Sequence, residues 1–387
     1  MPAYIHQINT AVPPTSYQQD FTRDLMKANI SDDRRIQSLI HRIYSRSGIA
    51  KRHSVIRDFN LNGHPALFFD EAGNALPRAG TKARNEAYIR EARPLYCKLA
   101  EDTIANAPDF DKEDITHVIT VSCTGFFAPG PDFHIVKELG LHPSTQRYHL
   151  GFMGCYAAFP ALKMARAFCA ADPSSVVLVV CLELCTLHLQ LREEADFIIS
   201  GSVFSDGAGS ALVSAIAPGP ESRALMIKQL GSDLTPDGEH DMAWTIGDTG
   251  FDMTLSSYIP GIIKANIPPV IGRQLARAGL TGEDIGLWAV HPGGRAILDK
   301  IQQSMQLSDD QIASSRHILR EYGNMSSATI LFVLKNMLEN NPPCQTILAM
   351  AFGPGLTIET GIFEVLYAPD SAQTSRALNR ANGSARL

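Results

Sequence analysis

The stretch Gly151-Phe-Met-Gly-Cys155-Tyr-Ala-Ala-Phe-Pro-Ala-Leu-Lys163 sets a cysteine between a glycine-bearing turn and an apolar segment. Ala158, Leu162 and Ala165, with Phe159 beside them, are spaced for a helix packed on most sides. Pro160 falls in its first turns, where a missing N–H costs least. Cys155 is therefore expected at or near a helix N-terminus. Free N–H groups and the helix dipole there favour a thiolate and lower the thiol pKa. Taken alone, the residue also reads as a buried, inert thiol, the commonest fate of a free cysteine.

A repeat runs outward from this stretch. Glu113-Asp-Ile115 returns as Glu283-Asp-Ile285, the apolar strand Ser175–Cys181 falls over Gln345–Ala351, and Gly154-Cys155 falls over Asn324-Met325. All three pairs share one offset, which points to a duplicated unit. Two such halves, 1–218 and 219–387, would pack about a pseudo-dyad with both central helices starting at the middle. Cys155 would then face Asn324 across one cavity, and His291 would arrive beside them at the end of a strand. Such a cavity gathers N–H donors around a thiol.

Along the chain, residues 17–47 read as mainly helical and carry Arg34, Arg35, Arg42 and Arg46, with Lys51, Arg52 and His53 just beyond. This densest basic region is either a solvated helix face or a landing site for phosphates. Residues 54–80 read as a long loop, followed by a helix from Thr81 to Ala107. His117–Cys123 and Ser175–Glu183 are β-branched runs typical of buried strands. The loop from Thr124 to Asp132 contains Ala128-Pro129, a candidate cis peptide. Polar, turn-rich sequence fills 219–250, with a helix over Ile259–Ala278 and strands at Gly286–His291 and Thr346–Ala351. The last residues, from about 368, are expected to be poorly ordered.

The composition fits an ordinary globular chain of 387 residues, 45% hydrophobic and 19% charged, with ample material for a large core. A net charge of −6 argues against a general nucleic-acid binder. No window reaches ~18 apolar residues, so no membrane span is expected, and the N-terminus lacks a signal-peptide pattern. The seven cysteines show neither a disulfide framework nor metal spacing, and a reducing cytoplasm is the natural setting.

Cysteine, histidine and asparagine together suit acyl chemistry. A thiolate persists beside an imidazolium, and a developing oxyanion or enolate needs donors such as His291 and the Asn324 amide. Asparagine cannot serve as a base. Singly, His291 reads as a core histidine and Asn324 as a helix cap.

At these residues the chain resembles the type III polyketide synthases of the chalcone synthase-like family over about residues 1–365. The resemblance rests on the Gly154-Cys155 helix start, Val290-His291-Pro-Gly-Gly294, Tyr322-Gly-Asn324-Met-Ser-Ser and Gly353-Pro354-Gly355-Leu-Thr-Ile-Glu359. It implies an α/β thiolase-like fold, layered α-β-α-β-α, acting as a homodimer without cofactor or metal. It implies Cys155 as the acyl-carrying nucleophile, and His291 and Asn324 as the pair that decarboxylates malonyl-CoA. Phe204 matches a gatekeeper position, and a second gatekeeper appears as Met253. Arg42 and Arg46 match cations that hold CoA phosphates, a third such position being Leu39. The segment around Ala296 should line the CoA tunnel. Cys123, Thr124, Ala128 and Cys185 fall at cavity positions. The small side chains Thr124, Ala128 and Cys185 leave room for an alkyl tail, each buried methylene contributing ~0.8 kcal/mol.

The reading is an acyltransferase that loads a medium or long fatty acyl-CoA and extends it with malonyl-CoA to an alkylpyrone or alkylresorcinol. Alternatives are a type III enzyme using a small starter such as malonyl-CoA, and a β-ketoacyl synthase III-like condensing enzyme with one extension and delivery to a carrier protein. A cysteine hydrolase and a non-catalytic scaffold stand further off. The duplicated halves and the absence of a protease-type cysteine motif count against the hydrolase.

Overall fold

The computed structural model describes residues 2–60, 67–70, 75–76, 79–219, 222–340 and 345–366. The first half runs β1 (Tyr4–Ala11), β2 (Ser16–Gln18), α1 (Gln19–Ile30), α2 (Arg34–Ser45), β3 (Lys51–His53), α3 (Thr81–Ala105), β4 (His117–Ser122), α4 (Pro131–Leu139), β5 (Gln146–Gly151), α5 (Ala158–Ala171), β6 (Val176–Leu184), α6 (Ala195–Val203) and β7 (Asp206–Ser214). The second runs β8 (Ala224–Leu234), β9 (Met242–Gly247), β10 (Gly250–Leu255), α7 (Ile259–Ala278), β11 (Leu287–Val290), α8 (Arg295–Met305), α9 (Asp309–Tyr322), α10 (Thr329–Asn340), β12 (Thr346–Gly353) and β13 (Thr357–Leu366).

Nine strands join in the order β11-β12-β13-β8-β1-β7-β6-β4-β5. Read outward from the β8–β1 contact, the two wings match. β1-β7-β6-β4 has the same senses as β8-β13-β12-β11: two antiparallel pairings, then a parallel one. The expected repeat is also present in local detail. A short 3-10 turn at Lys112–Asp114 carries a capping box from Asp111, and the turn at Gly282–Asp284 carries the same box from Thr281.

Strand alternation divides the core into layers. Val177, Val179 and Cys181 of β6 and Ile347, Ala349 and Ala351 of β12 share one central cluster with α5 and α10. Their neighbours on the opposite faces go outward. Val176, Leu178, Val180 and Leu182 meet α3 and the first-half helices, while Leu348, Met350 and Phe352 meet α7 and α8. The outcome is the α-β-α-β-α stack. Because both sheet faces are covered, β4, β6 and β12 read as unbroken apolar runs, as β-strands buried on both sides do. The two central helices also cross between wings: α10 packs on β1 and β7, and α5 on β8 and β13. Ala158, Ala161 and Ala165 of α5 are fully buried, their small side chains allowing this close approach.

The structure adds strands that the sequence reading left out, among them β5, β8, β9 and β10. β5 lies at the sheet edge with exposed Gln146 and Arg147, β8 alternates buried and exposed positions, and β9–β10 is a hairpin standing outside the main sheet. The Ala128–Pro129 peptide is cis. The expectation for the tail beyond 368 lies outside the described residues. No helix among the described residues is long and apolar enough to cross a membrane.

Candidate active site

Cys155 sits three residues ahead of the first residue of α5, in a turn that closes through Ala157 N–H to Gly154 O at 3.1 Å. Pro160 is the third helical residue, as its missing N–H requires. The turn is held closely. Gly154 has φ +89°, and a Cβ there would stand 2.4 Å from Pro354 Cδ. Its N–H donates to Cys123 Sγ at 3.0 Å. Gly353 lies against the Cys155 backbone, where a Cβ would be 3.5 Å from its nitrogen. Thus Gly353 and Pro354, from the second half, press on the loop that carries the thiol.

Asn324 lies between two segments of backbone. Its N–H donates to Val203 O at 2.9 Å and its carbonyl accepts from Ser205 N–H at 2.8 Å, forming a parallel bridge with Phe204. Its side-chain oxygen accepts from Ser326 N–H at 2.9 Å, and its amide donates to Gly293 O at 3.3 Å. Gly293 in turn lies against the His291 ring, where a Cβ would be 3.8 Å from Nε2. His291 extends β11 by one hydrogen bond, N–H to Met350 O at 2.8 Å. The three expected residues are therefore drawn together at the junction of the halves. Both ring nitrogens of buried His291 lack a hydrogen-bond partner among the described residues.

Ser326 was not singled out from sequence. It has φ +46° and its hydroxyl, with the Asn324 amide, lies against the Cys155 thiol. The offset explains its place. Strands repeat at the expected spacing, but α10 begins one residue later than that spacing requires, so Cys155 is mirrored by Ser326, not Met325.

Burial works against the expected thiolate–imidazolium pair. Burial pushes the Cys155 thiol up to about 11, with Ser326 and Asn324 pulling down against it and the Glu183 carboxyl adding to the rise. Burial likewise pushes His291 down to about 3. Burial thus favours the uncharged form of each group, while the donors on Cys155 favour its anion.

Glu183 is the second residue the sequence reading passed over. It ends an apolar strand, fully buried, and accepts from Cys123 N–H at 2.9 Å, the Thr124 hydroxyl at 3.0 Å and the Ser327 hydroxyl at 2.5 Å. Burial raises its pKa to about 7 despite these donors. A charge at the end of a wholly apolar run was the available signal.

Two cavities reach the Val203–Phe204 segment that pairs with Asn324. An outer groove of about 270 Å³ is lined by Ile43, Arg46, Val203, Gly293, Arg295 and Ala296. An inner one, with room of only about 30 Å³, is lined by Phe59, Cys185, His188, Phe204, Trp244 and Met253. Val203 faces the first and Phe204 the second, so the two residues that flank Asn324 divide them. Met253 stands opposite Trp244 in the β9–β10 hairpin, whose indole N–H donates to Cys123 O at 2.7 Å. Arg42 is exposed one turn before Arg46, and Leu39 is half-buried. Thr124 is committed to Glu183 and to Leu184 N–H at 2.9 Å. Ala128 is exposed and lines neither cavity. Gly355 has φ +127° and packs beside Leu234 and Thr357, behind the cysteine loop.

The similarities to known proteins agree with this geometry. The N-terminal domain of chalcone and stilbene synthases matches residues 1–217, and the C-terminal domain of the same enzymes matches 227–366. The alpha-pyrone synthesis polyketide synthase-like Pks18 of Mycobacterium tuberculosis is 31% identical, over 94% of this chain and 91% of its own. Probable polyketide synthase 1 of Dictyostelium discoideum is 27% identical over 92% of this chain, which is 11% of that far larger protein. Among solved structures, PKS-I of the brown alga Ectocarpus siliculosus superposes with a TM-score of 0.87 at 29% identity, covering 94% of this chain and 98% of that one. With the thiol, imidazole and amide gathered between matched halves, the chain belongs to the chalcone and stilbene synthase family and is a type III polyketide synthase.

Proposed function

We propose that the protein loads a medium or long fatty acyl group from CoA onto Cys155, extends it with malonyl-CoA, and closes the chain to an alkylpyrone or alkylresorcinol. The observation that carries the reading is the buried thiol with Asn324 and Ser326 beside it, Asn324 being paired with the Val203–Phe204 segment that two cavities reach. The α-pyrone synthesis named for the relative at 31% identity supports the product class.

The chemistry follows from the resting protonation. Unprotonated His291 accepts the thiol proton as sulfur attacks the thioester carbonyl, and CoA leaves with the proton. Donors on Cys155 lower the cost of its transient anion. Malonyl-CoA then loses CO₂, its electrons passing into an enolate held by His291 and the Asn324 amide. The enolate carbon attacks the acyl–Cys155 carbonyl, the C–S bond breaks, and the lengthened chain departs on CoA. The inner cavity, where Cys185, Phe204 and Met253 stand beside polar Arg52, His188 and Gln190, widens to receive the tail. We further propose a homodimer in which exposed Ala128 faces the second copy, to be checked by sedimentation.

Incubation with malonyl-CoA and starters from acetyl to stearoyl, read by mass spectrometry, is the test. Pyrones or resorcinols from fatty starters, with release of CO₂, are expected. Turnover of malonyl-CoA alone, or only one extension, would reject the long-chain reading. Cys155→Ser should carry no acyl group on intact-mass analysis, and retained acylation there would remove its role.

A further inference from the structure

The outer groove opens beside a cationic helix face longer than one coenzyme needs. Arg34, Arg35, Arg42 and Arg46 are all exposed, and none of the four forms an ion pair among the described residues. Arg46 lines the groove and exposed Arg42 stands one turn before it, a spacing suited to the phosphates of a single CoA. Arg34 and Arg35 lie about 10–12 Å from Arg42 and about 16–18 Å from Arg46 along the axis at the helical rise per residue. Across the groove, Arg295 lies over the turn after α2 at Gly48 and holds Asp299 only loosely, at 3.5 Å. Its acidic neighbours are Asp32 and Asp33 ahead of the helix, Asp33 capping Arg35 N–H at 2.7 Å, and Asp24 of α1, which is paired with Arg23 and lies near His41.

The net charge of −6 makes this stripe a local feature, not the outcome of a basic chain. The other exposed positions of α2 are Ser38, His41 and Ser45. No large apolar side chain accompanies the arginines, as an interfacial membrane helix would require. A stripe this long matches a folded acidic surface, and its inner end adjoins the groove that takes a phosphopantetheine arm.

We propose that α2 docks an acidic carrier protein bearing an acyl-phosphopantetheine thioester, a second starter donor beside acyl-CoA. This rests on the acyl-loading role of Cys155 proposed above. The carrier thioester carbonyl is attacked by Cys155 sulfur, its C–S bond breaks, and the carrier leaves as a free thiol with the proton from Cys155.

The test compares loading of Cys155 from dodecanoyl-CoA and from a dodecanoyl acyl carrier protein of fatty-acid synthesis, followed by intact mass. The wild type should load from both, with added salt slowing the carrier reaction more. The double variant Arg34→Glu/Arg35→Glu should raise the half-saturating carrier concentration about tenfold or more and leave dodecanoyl-CoA kinetics unchanged. Loading from CoA but not from the carrier overturns the proposal and leaves the acyl-loading role standing. Unchanged carrier kinetics in the variant, an equal loss with both donors, or arginine-dependent binding to anionic vesicles in its place overturns it too. Failure of both donors rejects the acyl-loading role and this proposal together.

Discussion

At Cys155, burial and local donors pull in opposite directions. The closed cavity holds the sulfur protonated, while the Ser326 hydroxyl and Asn324 amide favour its anion. Removing the Ser326 hydroxyl should therefore slow alkylation of Cys155 by iodoacetamide roughly tenfold near pH 8 and move the pH profile upward. Because Ser326 sits at φ +46°, Ser326→Ala and Ser326→Gly should be compared. Glycine relieves the backbone but also lacks the hydroxyl, so an equal loss in both assigns the effect to the hydroxyl. Glu183 gives a different prediction. Its folded pKa of about 7 exceeds the ordinary 4.5, so the folded chain keeps a proton that the unfolded chain releases between those values. That stability is complete below pH 4.5 and is lost as pH rises to about 7, by on the order of 3 kcal/mol. His291 and His188 act oppositely, losing stability as pH falls below the ordinary 6.5 toward about 3. Glu183→Gln stays neutral throughout. Its Tm, compared with that of the wild type, should gain steadily across the Glu183 window; a constant difference would mean the carboxyl does not titrate there.

Among the elements, those buried on both faces were legible and those at the margins were not. Val176–Leu184 and Thr346–Gly353 announce themselves as apolar runs because helices cover both sides. β8 did not, since exposed Lys228 and Ser232 follow buried Leu225 and Ile227, and the stretch reads as polar. The site divides in the same way. Cys155, His291 and Asn324 stand at element ends, where motif and spacing mark them. Ser326 and Glu183 act through partners distant in sequence, Cys155 for the first and Cys123, Thr124 and Ser327 for the second, which no local pattern displays. The inner cavity offers a test at this scale. Cys185, in the short turn after β6, shares it with Phe204 and Met253. Cys185→Phe should shorten the longest starter accepted, seen as a shift in product masses, with acetyl-CoA loading little changed. An unaltered chain-length profile would remove Cys185 from the tail's path.

Taken whole, the molecule is two similar wings that cannot be finished separately. The central cluster draws on β6 and α5 from one wing and β12 and α10 from the other. A fragment 1–217 would expose the faces of β1 and β7 that α10 covers. Each fragment alone should lack a cooperative thermal transition, and the two expressed together should regain it. A cooperative melt of either half by itself would count against the shared core.

The same seam has a genetic meaning. The thiol belongs to one half, and the amide, imidazole and Ser326 hydroxyl to the other. A gene cut at the junction is thus two complementation groups for one reaction. First halves taken from an Asn324→Ala mutant and second halves taken from a Cys155→Ser mutant carry no lesion. Mixed, they should rebuild a working enzyme from two dead parents, while the reciprocal mixture inherits both defects.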